Sequence, residues 1–175
     1  NVYEMGSTFK IFTIAAALEY SDLELSSSFD ASSPLRISNY TIKDYHPENR
    51  VLTTEEVFTY SSNIGSSLIA LNKLGVKNLK SFYDNLGILN YARIELSEKS
   101  RPLLPKKWGK IETATMSYGH GISISPINML EAASLIFSSA SKGKLSIVKN
   151  NNSDMNNNNI ISNNNLKKII KLMKD

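Results

Sequence analysis

The chain contains no cysteine, and this absence excludes three classes of protein. A disulfide scaffold needs paired cysteines, a zinc ribbon needs cysteine ligands, and a thiolate nucleophile needs at least one. Histidine is nearly as scarce, and His46 and His120 are too far apart in sequence to form a recognisable metal-binding pair. Two isolated histidines supply fewer ligands than a metal site requires. We therefore predict neither a bound metal nor a cofactor.

Strong net charge and long hydrophobic runs are also missing. The 175 residues carry a formal net charge of +4, with both signs interspersed, so a nucleic-acid partner is not indicated. The longest apolar run, residues 11–18, is far shorter than the roughly 20 residues that span a bilayer. Hydrophobic residues make up 41% of the chain, which is enough for a core within one domain.

A serine and a lysine three residues apart, Ser7 and Lys10, precede that apolar run. Its alanine and leucine content favours helix, and apolar residues on every face predict a helix buried on all sides. Because residues i and i+3 are neighbours on a helix, we expect Lys10 to lie one turn above Ser7. A crowded lysine can lose its proton and act as a base, and the helix dipole favours charge developing at Ser7. The two residues are candidates for a base and a nucleophile.

Ser-x-x-Lys is a weak motif when it stands alone. The alternative is that Ser7 caps a core helix while Lys10 is solvated. The same spacing recurs in a polar stretch, at Ser139/Lys142, Ser141/Lys144 and Ser146/Lys149.

Two further helices are predicted to meet at residues 61–63. Thr53 and Glu56 have the form of a capping box that begins a short helix. Apolar residues recur at helical spacing from 64 to 74, and Gly75 can cap the end of that second helix. We expect the polar side chains of this corner to project into a cleft.

Ser61 and Asn63 are the candidate functional residues of the corner. A hydroxyl there can relay a proton, and a carboxamide can accept from a lysine and donate to a substrate amide. The alternative is that both residues only satisfy a turn, and the same spacing occurs at Ser162 in an asparagine-rich tract. The hypothesis requires that the 61–63 corner share a dry pocket with Ser7 and an uncharged Lys10.

Other segments indicate structural roles. Residues 35–37 and 40–42 could pair as a small hairpin, and Ser125 followed by proline predicts a helix that continues to Phe137. His120 lies between two glycines and is interpreted as a turn residue beside the cleft. Cap or surface roles are expected for three carboxylates, those of Asp44, Glu55 and Glu56.

The two motifs, in this order, resemble those of the class B penicillin-binding proteins, the peptidoglycan D,D-transpeptidases. Residues Tyr3–Lys10 match the nucleophile segment of that family, and the 54-residue step from Ser7 to Ser61 fits its usual gap. Residues 108–113 and 117–122 resemble the division-type branch, as does asparagine rather than aspartate at position 63. The similarity runs from about 2 to 137 and resumes over 160–173, where residues 166–173 are helix-like.

The chain departs from the family pattern in two places. Met5 stands where the family usually has proline, a change that we expect to be tolerated. The third motif, Lys-Thr/Ser-Gly, does not occur, and Lys142-Gly143-Lys144 is no substitute. We therefore expect residues 1–175 to be a partial transpeptidase domain, lacking the first strands and the third-motif strand and inactive by itself. Residues 150–165 are predicted to be an asparagine-rich, low-complexity surface insertion.

The resemblance implies an α/β fold of the penicillin-binding transpeptidase and serine β-lactamase type, with an antiparallel sheet and helices. This part would form mainly the helical lobe and the nucleophile helix. The implied function is cross-linking of peptidoglycan stem peptides through a serine acyl-enzyme during septal cell-wall synthesis. The implied partners are D-Ala-D-Ala stem peptides, β-lactams and membrane proteins of the division complex, including a glycan polymerase. The implied location is the bacterial inner membrane, with the catalytic domain in the periplasm and its anchor outside this segment.

Four catalytic residues follow from the same resemblance. Neutral Lys10 would take the proton of Ser7, Ser61 would pass a proton to the leaving D-alanine, and Asn63 would orient Lys10 and the substrate amide. Three alternatives stay open from the sequence: a serine β-lactamase or carboxypeptidase, a non-catalytic penicillin-recognising assembly domain, and a Ser-His-Asp triad.

Overall fold

The computed structural model describes residues 1–137, 145–147 and 160–174. The Ser-x-x-Lys matches that begin at Ser139 and Ser141, and Lys149 of the third match, lie outside the described residues. So do residues 150–159, most of the asparagine-rich tract, and the Lys142–Lys144 triplet.

The described part of the chain is mainly helical, as the sequence predicted. A 3₁₀ turn, Gly6–Phe9, leads into the first α-helix, and a π-helical turn, Ala70–Leu74, lies between the third and fourth. The α-helices are α1 (Lys10–Tyr20), α2 (Thr54–Thr59), α3 (Asn63–Ile69), α4 (Gly75–Asn85), α5 (Lys110–Met116), α6 (Pro126–Phe137) and α7 (Asn163–Leu172). The strands are β1 (Ser28–Asp30), β2 (Leu35–Ile37), β3 (Tyr40–Ile42) and β4 (Val51–Thr53).

Helix α1 forms the centre of the core and is buried on all sides. Phe12 and residues 14–17 expose none of their surface, and α1 packs against α3, α4 and α7. Alanines at 15–17 let these neighbours approach closely, while Thr13 bonds the Tyr83 hydroxyl of α4 and the Ser117 carbonyl. The prediction of a fully buried helix after Lys10 is confirmed, and this burial fixes where Lys10 can point.

The strands form two separate antiparallel pairs. Strands β2 and β3 make the predicted hairpin, with Arg36 opposite Thr41, and β1 pairs with β4. A further backbone bridge joins Tyr3 to Ile124, with N–O distances of 2.9 and 3.0 Å. The segment that precedes Ser7 is therefore tied to the chain after the 119–121 turn.

Helices α2 and α3 form the predicted corner. Thr53 and Glu56 make the capping box of α2, so that prediction is confirmed. Gly65 of α3 packs against Val57 so closely that a Cβ at position 65 would lie 2.3 Å from Val57 Cγ2. This contact lets the two short helices lie side by side with residues 61–63 at their junction.

The predicted helix over 64–74 forms, but its last turn is π-helical and α4 follows directly. Gly75 joins the two segments with φ +68°, a conformation that suits glycine. Helix α4 buries Leu79, Phe82 and Tyr83, an apolar spacing that fits one helix face.

Helices α6 and α7 each begin next to a serine whose side chain caps the helix. Ser125 Oγ accepts from the backbone N–H of Asn128, which confirms the predicted start of α6. Helix α7 begins at Asn163, within the asparagine-rich tract, so the end of that tract is helical. Asn165 there donates to the Leu18 carbonyl at 2.8 Å. Among the helices in the described residues, none has the length and apolarity needed to cross a bilayer.

Candidate active site

The 3₁₀ turn that precedes α1 presents Ser7 at the protein surface. Gly6 opens the turn with φ +57°, and the backbone N–H of Lys10 donates to the Ser7 carbonyl. Side chains on a helix tilt toward its N-terminus, so the Lys10 amine turns back toward Ser7. Lys10 Nζ lies 2.9 Å from Ser7 Oγ. The structure thus brings the predicted nucleophile and base into hydrogen-bond contact.

The α2–α3 corner completes the surroundings of the same amine. Lys10 Nζ lies 2.6 Å from the Ser61 carbonyl oxygen, 2.8 Å from Ser61 Oγ and 2.8 Å from Asn63 Oδ1. Ser61 has φ +54°, a left-handed conformation that is uncommon for residues other than glycine. Both polar groups of Ser61 contact Lys10 in this conformation. All four residues singled out from the sequence meet at one amine.

The hydrogen-bond partners of Lys10 can be satisfied by a neutral amine. Four oxygens surround Nζ, and it can bond three of them either as an ammonium, with three N–H donors, or as a neutral amine, with two N–H donors and a lone pair. The Ser61 carbonyl and Asn63 Oδ1 can only accept, so they match the two N–H groups of an uncharged amine. The lone pair is then left for a serine hydroxyl, and a hydrogen bond from Ser7 to Lys10 is the arrangement that precedes proton transfer.

Burial favours the neutral form of Lys10. The residue is only 1% exposed, and burial lowers the pKa of its amine from 10.5 to about 8. The negative charge of Asp44 opposes this effect and raises the pKa. The reading of Lys10 as a solvated surface lysine is therefore wrong. Ser7 also makes no helix-capping bond through its hydroxyl, which contacts Lys10 instead.

The site is less enclosed than the sequence hypothesis required. Lys10 is buried, but Ser7 and Ser61 are exposed and Asn63 is half-buried. The amine thus sits at the floor of an open site, with the two hydroxyls at its rim. This arrangement leaves the candidate nucleophile accessible to a large substrate while keeping its base away from water.

Asp44 is the residue of this site whose importance the sequence did not reveal. Its carboxylate accepts hydrogen bonds from Ser62 Oγ at 2.7 Å and from the backbone N–H groups of Asn63 and Ile64. The expected cap role is confirmed, because these N–H groups belong to the first turn of α3. Contact with a motif almost twenty residues away leaves no signal in local sequence spacing.

A turn on the other side of Ser7 supports the nucleophile segment. Glu4 Oε1 accepts from the backbone N–H of Gly121 at 2.8 Å, and Glu4 Oε2 lies 2.9 Å from His120 Nδ1. Gly119 and Gly121 have φ of +76° and +80°, which confirms a turn around His120. Within the described residues neither histidine hydrogen-bonds Ser7, so the Ser-His-Asp alternative is not assembled.

Met5 fits the position where the family usually has proline. Its φ of −83° is close to the value that a proline ring imposes, so the backbone keeps the same course. The side chain is half-buried against the core, and the Met5 carbonyl accepts from Thr8 Oγ1 at 2.7 Å. With methionine at this position, Ser7 Oγ still contacts Lys10 Nζ.

Comparison with solved structures defines the fold class. The apo structure of the TP domain from Burkholderia pseudomallei penicillin-binding protein 3 matches 99% of this chain and 53% of its own, with a TM-score of 0.89. Its sequence identity is 24%, so this likeness concerns the fold alone. The fold is that of a penicillin-binding transpeptidase domain.

Sequence comparison defines the family. The family model described as the penicillin binding protein transpeptidase domain matches residues 1–175, and the chain belongs to this family. A probable peptidoglycan D,D-transpeptidase FtsI from Caulobacter vibrioides is 41% identical over 149 residues, 85% of this chain and 25% of the relative. The peptidoglycan D,D-transpeptidase FtsI of Escherichia coli K12 is 31% identical over 151 residues, again 85% of this chain and 25% of the relative. The chain thus spans about a quarter of the length of these curated relatives, and the predicted resemblance to the penicillin-binding transpeptidases is confirmed.

Proposed function

We propose that the protein is a peptidoglycan D,D-transpeptidase that cross-links stem peptides through an acyl-enzyme on Ser7 and is a target of penicillin. The observation that carries this proposal is the buried Lys10 amine, which contacts Ser7, Ser61 and Asn63 together. The names of the curated relatives support the substrate class, and the repeated name FtsI supports a role in septal wall synthesis during division.

The first half of the reaction uses Lys10 as a general base. Ser7 Oγ attacks the carbonyl carbon between the two terminal D-alanines while its proton passes to the lone pair of Lys10 Nζ. The C–N bond then breaks, and the proton passes through the Ser61 hydroxyl to the departing amine of D-alanine. An ester between Ser7 and the stem peptide remains.

The second half regenerates Ser7. An amine of a neighbouring stem attacks the ester carbonyl, loses a proton to the base, and forms the cross-link as the Ser7 oxygen recovers its proton. Asn63 Oδ1 accepts from the base, and the second N–H of its side-chain amide would donate to the substrate backbone. The Ser7 backbone N–H would stabilise the oxyanion. A second donor is expected from a Lys-Thr/Ser-Gly strand, a motif absent from these 175 residues.

Location and partners belong to the same proposal. We infer that the catalytic domain works in the periplasm of a bacterium, anchored in the inner membrane, beside membrane proteins of the division complex that include a glycan polymerase. The support is the family and the names of its curated relatives.

Penicillin labelling of the full-length gene product tests the proposed chemistry. A β-lactam resembles D-Ala-D-Ala, so mass spectrometry after brief treatment should find one penicilloyl adduct, on the peptide that contains Ser7. Ser7→Ala should abolish the adduct. Thr8→Ala is the matched control, because Thr8 is an exposed hydroxyl beside Ser7 and should be dispensable for labelling. An adduct at another residue, or none, contradicts the proposal.

Product analysis separates transpeptidation from the two remaining alternatives. Steady release of penicilloic acid would indicate a β-lactamase, and release of D-alanine without cross-linked product would indicate a carboxypeptidase. A stably folded protein that binds penicillin reversibly, with no covalent adduct, would indicate a non-catalytic recognition domain.

A further inference from the structure

Asp44 accepts hydrogen bonds from residues 62–64, at and just after the second motif. Its carboxylate accepts from Ser62 Oγ at 2.7 Å, from the Asn63 N–H, and from the Ile64 N–H at 2.9 Å. Three consecutive residues of the motif and the following helix are thus held by one side chain. Asp44 follows strand β3, so the β2–β3 hairpin sets the position of this carboxylate.

The residue before Asp44 forms a hydrogen bond with the Asn63 side chain. Asn63 Nδ2 donates to the Lys43 carbonyl at 3.1 Å, so the amide cannot turn over without losing that bond. Its oxygen is thereby directed at Lys10 Nζ, 2.8 Å away. Backbone and side chain of Asn63 are both fixed from the same two-residue segment.

We propose that Asp44 is a positioning residue for acyl transfer, which holds Asn63 in contact with Lys10 and stabilises the ammonium formed when Lys10 receives the Ser7 proton. This inference rests on the proposed function, because it assigns Asp44 a part in that reaction. Asp44 acts through Asn63 and through its charge, without touching the reacting atoms.

The electrostatic effect of Asp44 on Lys10 follows from the charges of the groups around the Lys10 amine. Its hydrogen-bond partners are neutral: Ser7 from the 3₁₀ turn, and Ser61 and Asn63 from the α2–α3 corner. Within the described residues, the charge that acts on the amine comes from Asp44. Proton transfer creates a cation at a site that water scarcely reaches, where a fixed negative charge is most effective.

If Asp44 served only as a cap of helix α3, a different result would be expected. Such a cap would stabilise the α3 N-terminus, so its loss would lower the melting temperature and leave the pH dependence of acylation unchanged. The role proposed here requires that loss of the Asp44 charge move the pH at which Lys10 becomes neutral. Because a carboxylate raises the pKa of a nearby amine, its removal should lower that pKa further.

The experiment compares D44N, D44A and D30N in the full-length gene product. D44N removes the charge and keeps a hydrogen-bonding side chain of the same shape, and D44A removes both. D30N is the matched control, because exposed Asp30 loses the same charge while its side chain, among the described residues, bonds Ser32 and no group of the site. The measurements are the second-order rate of acylation by a fluorescent penicillin across pH 6–10 and the melting temperature.

In D44N, the rise of the acylation rate with pH should move by about half a unit or more to lower pH. In D44A, the limiting rate at high pH should also fall about tenfold or more, because Asn63 is no longer held. D30N should match the wild type. Unmoved pH profiles with limiting rates within about twofold in both Asp44 variants would overturn the inference. If D44A does not fold, the pH profile and limiting rate of D44N alone test the inference.

A direct titration of Lys10 keeps this inference separable from the proposed function. Full-length protein with ¹³C-labelled lysine gives the Lys10 Cε signal, assigned by its loss in K10R, and the Ser7→Ala background removes any acylation. A lower titration midpoint in D44N supports the electrostatic part even if penicillin labels another residue. An unchanged midpoint overturns it even if Ser7 is the nucleophile.

Discussion

Gly119 packs directly against the peptide backbone of Gly6, the residue before the candidate nucleophile. A Cβ at position 119 would lie 2.2 Å from the Gly6 carbonyl oxygen and 2.8 Å from its nitrogen. No side chain fits there unless the nucleophile turn moves. The position of Ser7 thus depends on a residue more than a hundred positions away.

Gly119→Ala should therefore impair acylation of Ser7 by penicillin by about tenfold or more, because the Gly6–Phe9 turn must shift. Gly121→Ala is the matched control: it shares the positive φ, but its Cβ would meet only Thr115 Oγ1 at 3.5 Å. Both variants should lose about 1–2 kcal/mol of stability from backbone strain. Acylation rates and urea unfolding of the two proteins check this, and equal acylation by both would argue against the packing explanation.

The acylation rate should rise with pH, following an apparent pKa of about 8, because Lys10 must be neutral to receive the proton. At pH 7 about one tenth of the amine is then uncharged, so the rate should increase about tenfold between pH 7 and a plateau above pH 9. Lys10→Ala should lower the plateau about 10²–10⁴-fold and remove this rise. Exposed Lys106 is the control, and its replacement by alanine should leave the profile of penicillin labelling unchanged.

Burial of Lys10 should also make folding stability depend on pH. Its pKa is about 8 in the folded protein and near 10.5 when unfolded, so between these values the unfolded chain binds more protons. The destabilisation by Lys10 is therefore full below pH 8 and disappears as pH rises to 10.5, a change of about 3 kcal/mol. Urea unfolding from pH 7 to 10.5 should show the wild type gaining this amount relative to Lys10→Met. A constant difference between the two proteins would contradict the lowered pKa.

Gly65→Ala should destabilise the α2–α3 corner by about 1–3 kcal/mol, because the added methyl group would overlap Val57 Cγ2. Val57→Ala removes the overlapping atoms and should rescue much of this loss. A double-mutant cycle by denaturant unfolding measures the coupling, and additive effects would show that the two residues do not interact.

Local sequence signals were sufficient for much of the fold. The apolar run after Lys10, the Thr53–Glu56 capping box, the hairpin and the Ser125-Pro start of α6 each depend on residues a few positions apart, and each forms as predicted. The contact of Lys10 with the 61–63 corner was also anticipated, although only through two motifs in the right order. The catalytic roles of these residues stay predictions.

Contacts between residues far apart in sequence could not be predicted from local sequence patterns. The bonds from Asp44 to residues 62–64, and the contact of Gly119 with Gly6, depend on how separate segments pack. The left-handed conformation of Ser61 is set by the corner, since serine has no intrinsic preference for it. The π-helical end of the 64–74 segment, directly before α4, likewise has no signal in the local sequence.

Ser61 offers Lys10 two oxygens of different kinds, one from the main chain and one from the side chain. An alanine at this position would delete the hydroxyl but leave the carbonyl, which at 2.6 Å makes the shortest contact with the amine. The main chain of the corner therefore anchors the Lys10 amine, while the Ser61 side chain would relay the proton in the proposed reaction. A substitution at position 61 can therefore remove the hydroxyl contact and keep the carbonyl contact with Lys10.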